Sequence, residues 1–369
     1  MIERIEIENL KSLKSVAMKT LPLNLLMGLN GMGKSSFIQS LLLLRQNKAL
    51  GLAKIALNGE YTEIGRGRDA LYQDAVDETI RINADMTDSE GCHISLPCSL
   101  LYKADSNVLE NNKVFPLDIL DRYPLFNNNF QYLEAVRTGP CTDYPMSYAD
   151  VIEHRQIGLR GEYAVHFLNA FGSEMKVPAS LHHPAAKSDT LLHQTAAWLG
   201  EISPDVRFEI QEIPGTDKVV LNYQFANRDA VGNRFRPKNV GFGISYVLPV
   251  IVALLSYSKD KVIIIENPEA HIHPKGQAQM GKLIALAAAA GMQLFVETHS
   301  DHIVNGIRVA VKERLIPNNK VNISYFYRIA AEDEQFCDIE PISVDIYGEM
   351  SDYPEDFMDE WNNQLLKLV

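Results

Sequence analysis

Cysteine is scarce: the 369 residues hold four, Cys92, Cys98, Cys141 and Cys337, with no C-x-x-C pair among them. That spacing does not suggest a disulfide framework and reads as buried thiols in a reducing cytoplasm. Long apolar runs are missing too. Residues 247–255 are the most apolar stretch, and extending them back to Val240 takes in Gly241, Gly243, Ser245 and Pro249, so they are expected to form a core helix and not a bilayer span. The first residues alternate apolar and charged side chains as a half-exposed strand does and lack the apolar core of a secretory leader, so neither export nor a membrane partner is expected. Positive charge is the minority sign, 35 Lys and Arg against 47 Asp and Glu, for a net charge of −12. Overall charge therefore does not support coating of nucleic acid. Arg66 with Arg68, and Arg234 with Arg236 and Lys238, are small basic clusters whose default reading is a solvated face, with DNA contact left open. There is no internal repeat and no sustained heptad pattern, which excludes long coiled-coil arms. What is present, 46% hydrophobic and 22% charged residues, suits a globular protein of one large or two moderate domains.

One stretch organises the rest. Gly28-Leu29-Asn30-Gly31-Met32-Gly33-Lys34-Ser35 satisfies every fixed position of G-x-x-x-x-G-K-[ST]. An apolar strand-like run precedes it and a helix-like segment free of Gly and Pro follows it, the context a phosphate cradle needs. Gly28, Asn30, Gly31 and Gly33 would leave backbone N–H groups open to phosphate oxygens at a helix N-terminus, with Ser36 continuing the cradle. Lys34 would reach the outer phosphates, and the Ser35 hydroxyl would join the coordination of Mg²⁺. The expected ligands are ATP and Mg²⁺.

Two later stretches fit the same chemistry. Asn239-Val240-Gly241-Phe242-Gly243-Ile244-Ser245 puts two glycines and a serine ahead of an apolar helix, so Gly241, Gly243 and Ser245 are candidate anion contacts. The run Val262-Ile263-Ile264-Ile265 ending at Glu266 reads as a buried parallel strand that delivers a carboxylate to the metal side of a nucleotide site. Asn267-Pro268-Glu269-Ala270-His271-Ile272-His273-Pro274 follows it. His271 and His273 have no evident third ligand and are expected to pack rather than bind metal. A further strand ends in Thr298-His299-Ser300. Between these stretches, Gly158-Leu159-Arg160-Gly161-Glu162-Tyr163 has a turn-then-helix pattern and is a candidate sensing or interface loop.

In this order the elements resemble those of ABC-type P-loop ATPases of the SMC/RecF-like and overcoming-lysogenisation-defect-like group. The opening Glu6-Ile7-Glu8-Asn9-Leu10-Lys11-Ser12-Leu13 resembles that of the SMC/RecF-like group. The acidic end of the chain, read as either a solvated helix or a docking surface for a partner, resembles the end of a short bacterial subfamily without a nuclease domain whose last domain has no assigned function. The resemblance implies an α/β fold, an ABC-ATPase head whose mixed sheet has helices on both faces, plus an inserted α+β lobe. It implies residues 1–74 as the first half of the core, 75–235 as the lobe, 236–330 as the second half and 331–369 as a tail. It also implies a Walker B role for Glu266, a switch role for His299 at the γ-phosphate, and a homodimer in which Gly241 and Gly243 of one copy face the nucleotide of the other, head to tail. Lys11 and Ser12 would lie near the nucleotide, and Gln73 is a candidate for the Q-loop. The sequence departs from the group at one point: Glu266 stands where Asp is usual, and Asn267 where the catalytic Glu is usual. An amide cannot accept the proton of the attacking water, so hydrolysis is expected to be slow or to use Glu269. The leading functional expectation is a cytoplasmic ATP-dependent switch that controls a separate effector in defence against phage or mobile DNA. A RecF-like DNA-binding repair ATPase is the alternative, and a transporter motor is disfavoured.

Overall fold

Strand β1 (Ile2–Leu10) buries Ile2, Ile5, Ile7 and Leu10 and turns Glu3, Arg4 and Glu8 outward or to its edges, so its register is set by one apolar face. It belongs to a computed structural model that describes every residue except 228, 229, 232, 332, 333, 355, 356 and 369. In chain order the strands continue as β2 (Leu13–Lys19), β3 (Leu23–Met27), β4 (Lys54–Ala56), β5 (Thr79–Thr87), β6 (His93–Leu101), β7 (Val108–Asn111), β8 (Phe130–Leu133), β9 (Tyr144–Pro145), β10 (Val206–Glu212), β11 (Lys218–Asn227), β12 (Ala230–Val231), β13 (Val262–Glu266), β14 (Gln293–Glu297), β15 (Val321–Ala330) and β16 (Gln335–Ile342). The helices are α1 (Lys34–Gln46), α2 (Gly67–Ala70), α3 (Leu117–Leu120), α4 (Ala164–Phe171), α5 (Leu191–Ile202), α6 (Phe242–Leu255), α7 (Pro274–Ala289), α8 (Asp301–Lys312) and α9 (Glu360–Leu366).

The chain divides into two compact units. One comprises Met1–Phe130, Val321–Asp345 and Met350–Val369; the other comprises Gln131–Lys320 and Ile346–Glu349. In the first, strands follow the order β4-β7-β6-β5-β1-β2-β16-β15-β3. The sheet is mixed: β15 runs parallel to β3, and β1 pairs antiparallel with β2 and β5. Strand β3 is buried along its whole length, as a parallel strand covered on both faces must be. Residues 79–111, expected within an inserted lobe, instead continue this sheet through β5, β6 and β7. Ile80, Ile82, Ala84 and Met86 alternate along β5, a pattern that lets it extend the sheet from the edge of β1. The boundaries expected at 74, 235 and 330 accordingly do not coincide with the limits of the two units.

Residues 57–65 form a closed loop after β4. Asn58 accepts from the Gly65 N–H at 2.7 Å and donates to its carbonyl at 2.9 Å, while Gln46 at the end of α1 accepts from Tyr61 and Thr62. An Asn-Gly pair favours that turn over an extended strand. The acidic end is not one solvated helix. Met350 and Phe357 are buried, the Phe357 ring meets Tyr325 edge-on at 5.4 Å, and only α9 is helical; Glu355 and Asp356 of that tail lie outside the described residues.

The second unit has strands in the order β14-β13-β8, with β13 and β14 parallel, and a separate sheet of β10, β11 and β12 with β9 beside β11. Helix α6 is buried from Ile244 to Leu255 and carries Pro249 inside it. Gly161, at φ 68°, makes room for that ring: a Cβ there would come within 2.2 Å of Pro249 Cβ. Helices α7 and α8 pack through glycines, since a Cβ on Gly281 or Gly306 would lie 2.3 Å from Ile303 O or 2.2 Å from Ala278 O. Among the described residues no helix is long and apolar enough to cross a membrane.

Candidate functional site

The phosphate loop joins β3 to α1 in the first unit. Gly33 precedes the helix at φ 93° with no side chain capping the first turn, and a Cβ there would reach 2.7 Å from Leu13. At Gly28, φ 132°, it would reach 2.2 Å from the Phe326 carbonyl oxygen, so both positions demand glycine. Leu29, Asn30, Gly31 and Ser35 are exposed, whereas Lys34 and Ser36 are buried. Lys34 curls over the loop, its ammonium donating to the carbonyls of Gly28 at 2.8 Å and Leu29 at 2.9 Å. An uncapped helix start with an exposed backbone and an adjacent ammonium fits phosphate groups, and the exposed Ser35 hydroxyl fits a Mg²⁺ ligand.

Beside the loop a cavity of about 360 Å³ is lined by Lys11, Ser12, Tyr72, Gln73, Arg328 and Phe336 among others. Arg328 donates to Gly31 O at 3.3 Å. Lys11 also donates to Gln39 on α1 at 3.0 Å. Gln73 lines the same cavity and donates to neighbouring Asp74.

In the second unit the other candidates gather at the ends of β13 and β14. Glu266 accepts from the Tyr132 hydroxyl at 2.8 Å and from Ala135 N at 3.2 Å. Burial raises its pKa, partly offset by those two donors. Asn267 has φ 45°, its N–H donates to Glu297 O at 2.8 Å, and its Oδ1 is buried with no hydrogen-bond partner among the described residues. Asn is among the side chains that tolerate this left-handed conformation best. A buried acceptor left without a partner can take a hydrogen bond from a water.

Glu269, the alternative base, is already engaged: Oε2 accepts from Thr298 Oγ1 at 2.8 Å and Oε1 from His299 N at 2.9 Å. Those contacts make it a clamp on the turn that presents the exposed His299. His273 caps α7 by accepting from Lys275 N, and the His271 ring packs edge-on against Phe242 and Tyr246 at 4.7 and 4.9 Å, in keeping with the packing expectation for the pair. Gly243 allows this approach, since a Cβ there would come 2.2 Å from His271 O. Gly241 stands open, with nothing within 4 Å of the place a Cβ would take. Ser245 is buried, and its hydroxyl has no hydrogen-bond partner among the described residues.

Two further residues carry no clear signal in the sequence. Tyr132 sits on β8, and the alternation of Phe130-Gln131-Tyr132-Leu133 is the one hint of that strand. Arg137 is almost fully buried and donates to the carbonyls of Glu266 and Asn267, both at 2.6 Å. Burial lowers its pKa to about 10, which still leaves it charged at neutral pH.

A mixed α/β fold with this loop between a buried strand and its helix is that of a P-loop ATPase. The AAA ATPase domain family matches residues 1–131 and 186–304, and the chain belongs to that family. Residues 316–368 match a family described as a protein of unknown function (DUF3696). Among solved structures the chain is similar to an SmcHead bound to the C-winged helix domain of ScpA, with TM-score 0.61 and 13% identity over 93% of this chain and 98% of the other. It is also similar to an Smc head domain with an extended coiled coil, bound to the C-terminal domain of ScpA, derived from Pyrococcus furiosus, with TM-score 0.55 and 12% identity over 100% of this chain and 99% of the other. No curated protein matches it.

Proposed function

We propose that this ATPase is a slow nucleotide-held switch. Lys34 and the loop amides grip the phosphates, Ser35 and Glu266 are the protein ligands for Mg²⁺, and His299 is the γ-phosphate sensor. Bound Mg²⁺ would supply charge neutralisation on the phosphates. Asn267 carries the reading. Its unpartnered buried Oδ1 can orient a water, and an amide cannot take that water's proton. Glu269, held by Thr298 and His299, is not placed to replace it. Binding therefore outlasts chemistry, which suits a device that signals by its ATP-bound state.

In this reading two copies close head to tail, with Gly241 and Gly243 of one facing the nucleotide of the other, and the closed pair engages a separate effector in the cytoplasm. The context we propose, from the resemblance to overcoming-lysogenisation-defect-like ATPases, is defence against phage or mobile DNA. The DNA-repair alternative is weakened by the basic clusters: Arg66 and Arg68 both pair with Asp105, and Arg234 pairs with Glu209.

The test is ATP affinity, single-turnover hydrolysis and oligomeric state for the wild type, Lys34→Ala, Asn267→Asp and Asn267→Glu. Lys34→Ala should lose ATP binding and closure. A carboxylate at 267 should speed turnover by roughly 10²-fold, the scale of general-base assistance; Asp tolerates the left-handed backbone better than Glu, so the pair separates chemistry from strain. Turnover unchanged in both carboxylate variants would refute the assignment of Asn267.

A further inference from the structure

We infer that Arg137 is a positioning residue that ties the mouth of helix α6 to the Glu266-Asn267 turn, so that a change at one is transmitted to the other. Its guanidinium donates through Nη1 to Glu266 O at 2.6 Å and Glu134 O at 3.3 Å, through Nη2 to Asn267 O at 2.6 Å, and through Nε to Tyr246 O at 3.1 Å. The Arg137 N–H donates to Tyr246 Oη at 2.9 Å, and that hydroxyl donates to Ala135 O at 3.0 Å. Three separate segments, the loop after β8, the second turn of α6 and the exit of β13, meet on one side chain.

A purely structural plug would not need to be a cation. Arg137 is 4% exposed, and no carboxylate lies within ion-pair distance of it among the described residues. Burying a charge that way is costly unless the donors are used, and here they go to backbone carbonyls. The rigid planar fork reaches two successive carbonyls at once, which a lysine ammonium on a flexible stem does not reproduce. Those carbonyls belong to the residues on either side of the peptide that sets the left-handed backbone of Asn267.

The link extends outward. The Arg137 guanidinium lies 4.8 Å over the Tyr246 ring, which neighbours Phe242 at 5.3 Å and His271 at 4.9 Å. Phe242 is the first residue of α6 and is 47% exposed. A contact made at the start of α6 thus has a continuous packed route to the amide of Asn267. The loop that carries Arg137 is itself braced, Glu134 N donating to Leu159 O at 3.0 Å and Thr138 N to Arg160 O at 2.8 Å. The stretch from Gly158 to Tyr163, expected as a sensing or interface loop, is that brace.

The inference rests on the ATPase reading for its turnover arm alone. The experiment compares wild type, Arg137→Lys and Arg137→Ala by ATP affinity, single-turnover hydrolysis and hydrogen exchange with and without ATP. The expected result is ATP affinity within about twofold of wild type and hydrolysis slowed at least tenfold in both variants. Millimolar guanidinium should restore part of the rate to Arg137→Ala, while sodium at equal ionic strength should not. In exchange, peptides covering 242–247 and 264–270 should lose protection together in both variants, and the α1 peptide should be unchanged. Wild-type rates and wild-type exchange in Arg137→Lys would overturn the inference, as would joint loss of affinity and rate without rescue, which marks general unfolding. Failure of wild type to bind ATP would instead defeat the ATPase reading and leave the exchange comparison to decide the role of Arg137.

Discussion

Lys261 is buried at the start of β13, where its ammonium donates to the Ser256 carbonyl at 3.2 Å and the Ser256 hydroxyl at 3.0 Å. Burial lowers its pKa from 10.5 to about 8. With the folded value below the unfolded one, both states carry the charge below pH 8, and folding bears the cost of burying it. That cost disappears as pH rises from about 8 to 10.5, where the folded chain releases its proton first. At ~1.4 kcal/mol per pH unit the cost is on the order of 3 kcal/mol. Lys261→Met should therefore raise stability at pH 7 by roughly 1–3 kcal/mol, less the value of the two lost hydrogen bonds, and the gain should shrink toward zero near pH 10.5. Urea melts of both proteins at pH 7 and pH 10.5 check it; a gain independent of pH would point to packing instead. Neither Lys261 nor Arg137 is legible as a buried charge in the sequence, because the residue type says nothing of burial when most lysines and arginines are exposed.

Helices α7 and α8 show how far an element depends on two glycines. Gly306→Ala would drive a Cβ to 2.2 Å from the Ala278 carbonyl oxygen, a backbone atom that cannot swing away. The overpacking should cost about 1–3 kcal/mol, exceeding the helix-propensity gain of ~1 kcal/mol. Gly200, within α5, has nothing within 4 Å of a Cβ, so Gly200→Ala should stabilise by roughly 0.5–1 kcal/mol. Opposite signs in paired denaturation curves are the expected outcome, and two stabilised variants would mean that α7 and α8 have slack. The apolar run of α6 and the strands β13 and β14 are legible because long buried runs leave few alternatives. Strand β8 is not, since four residues carry too little periodicity to stand out.

At the scale of the molecule, net charge is −12, and Arg66, Arg68 and Arg234 of the exposed basic clusters pair with carboxylates. Fluorescence anisotropy at low ionic strength should therefore detect no ATP-stimulated association with duplex DNA. Binding that falls steeply with salt would restore the repair reading. The division into units is the least legible property. A sequence taken in order suggests that consecutive residues share a lobe, yet β5 to β7 extend the sheet of β1, and β15 and β16 return to it after the long stretch from Gln131 to Lys320 spent in the other unit.

The sequence by itself determined the phosphate loop between its strand and its helix, because that loop depends on residue identity at fixed local spacing. Tertiary structure alone decided that Ser245 is buried, that Glu269 clamps the His299 turn, and that Arg137 holds the carbonyls of Glu266 and Asn267. Those outcomes depend on which backbone atoms distant segments bring to a side chain, and a carbonyl oxygen leaves no signature in the sequence.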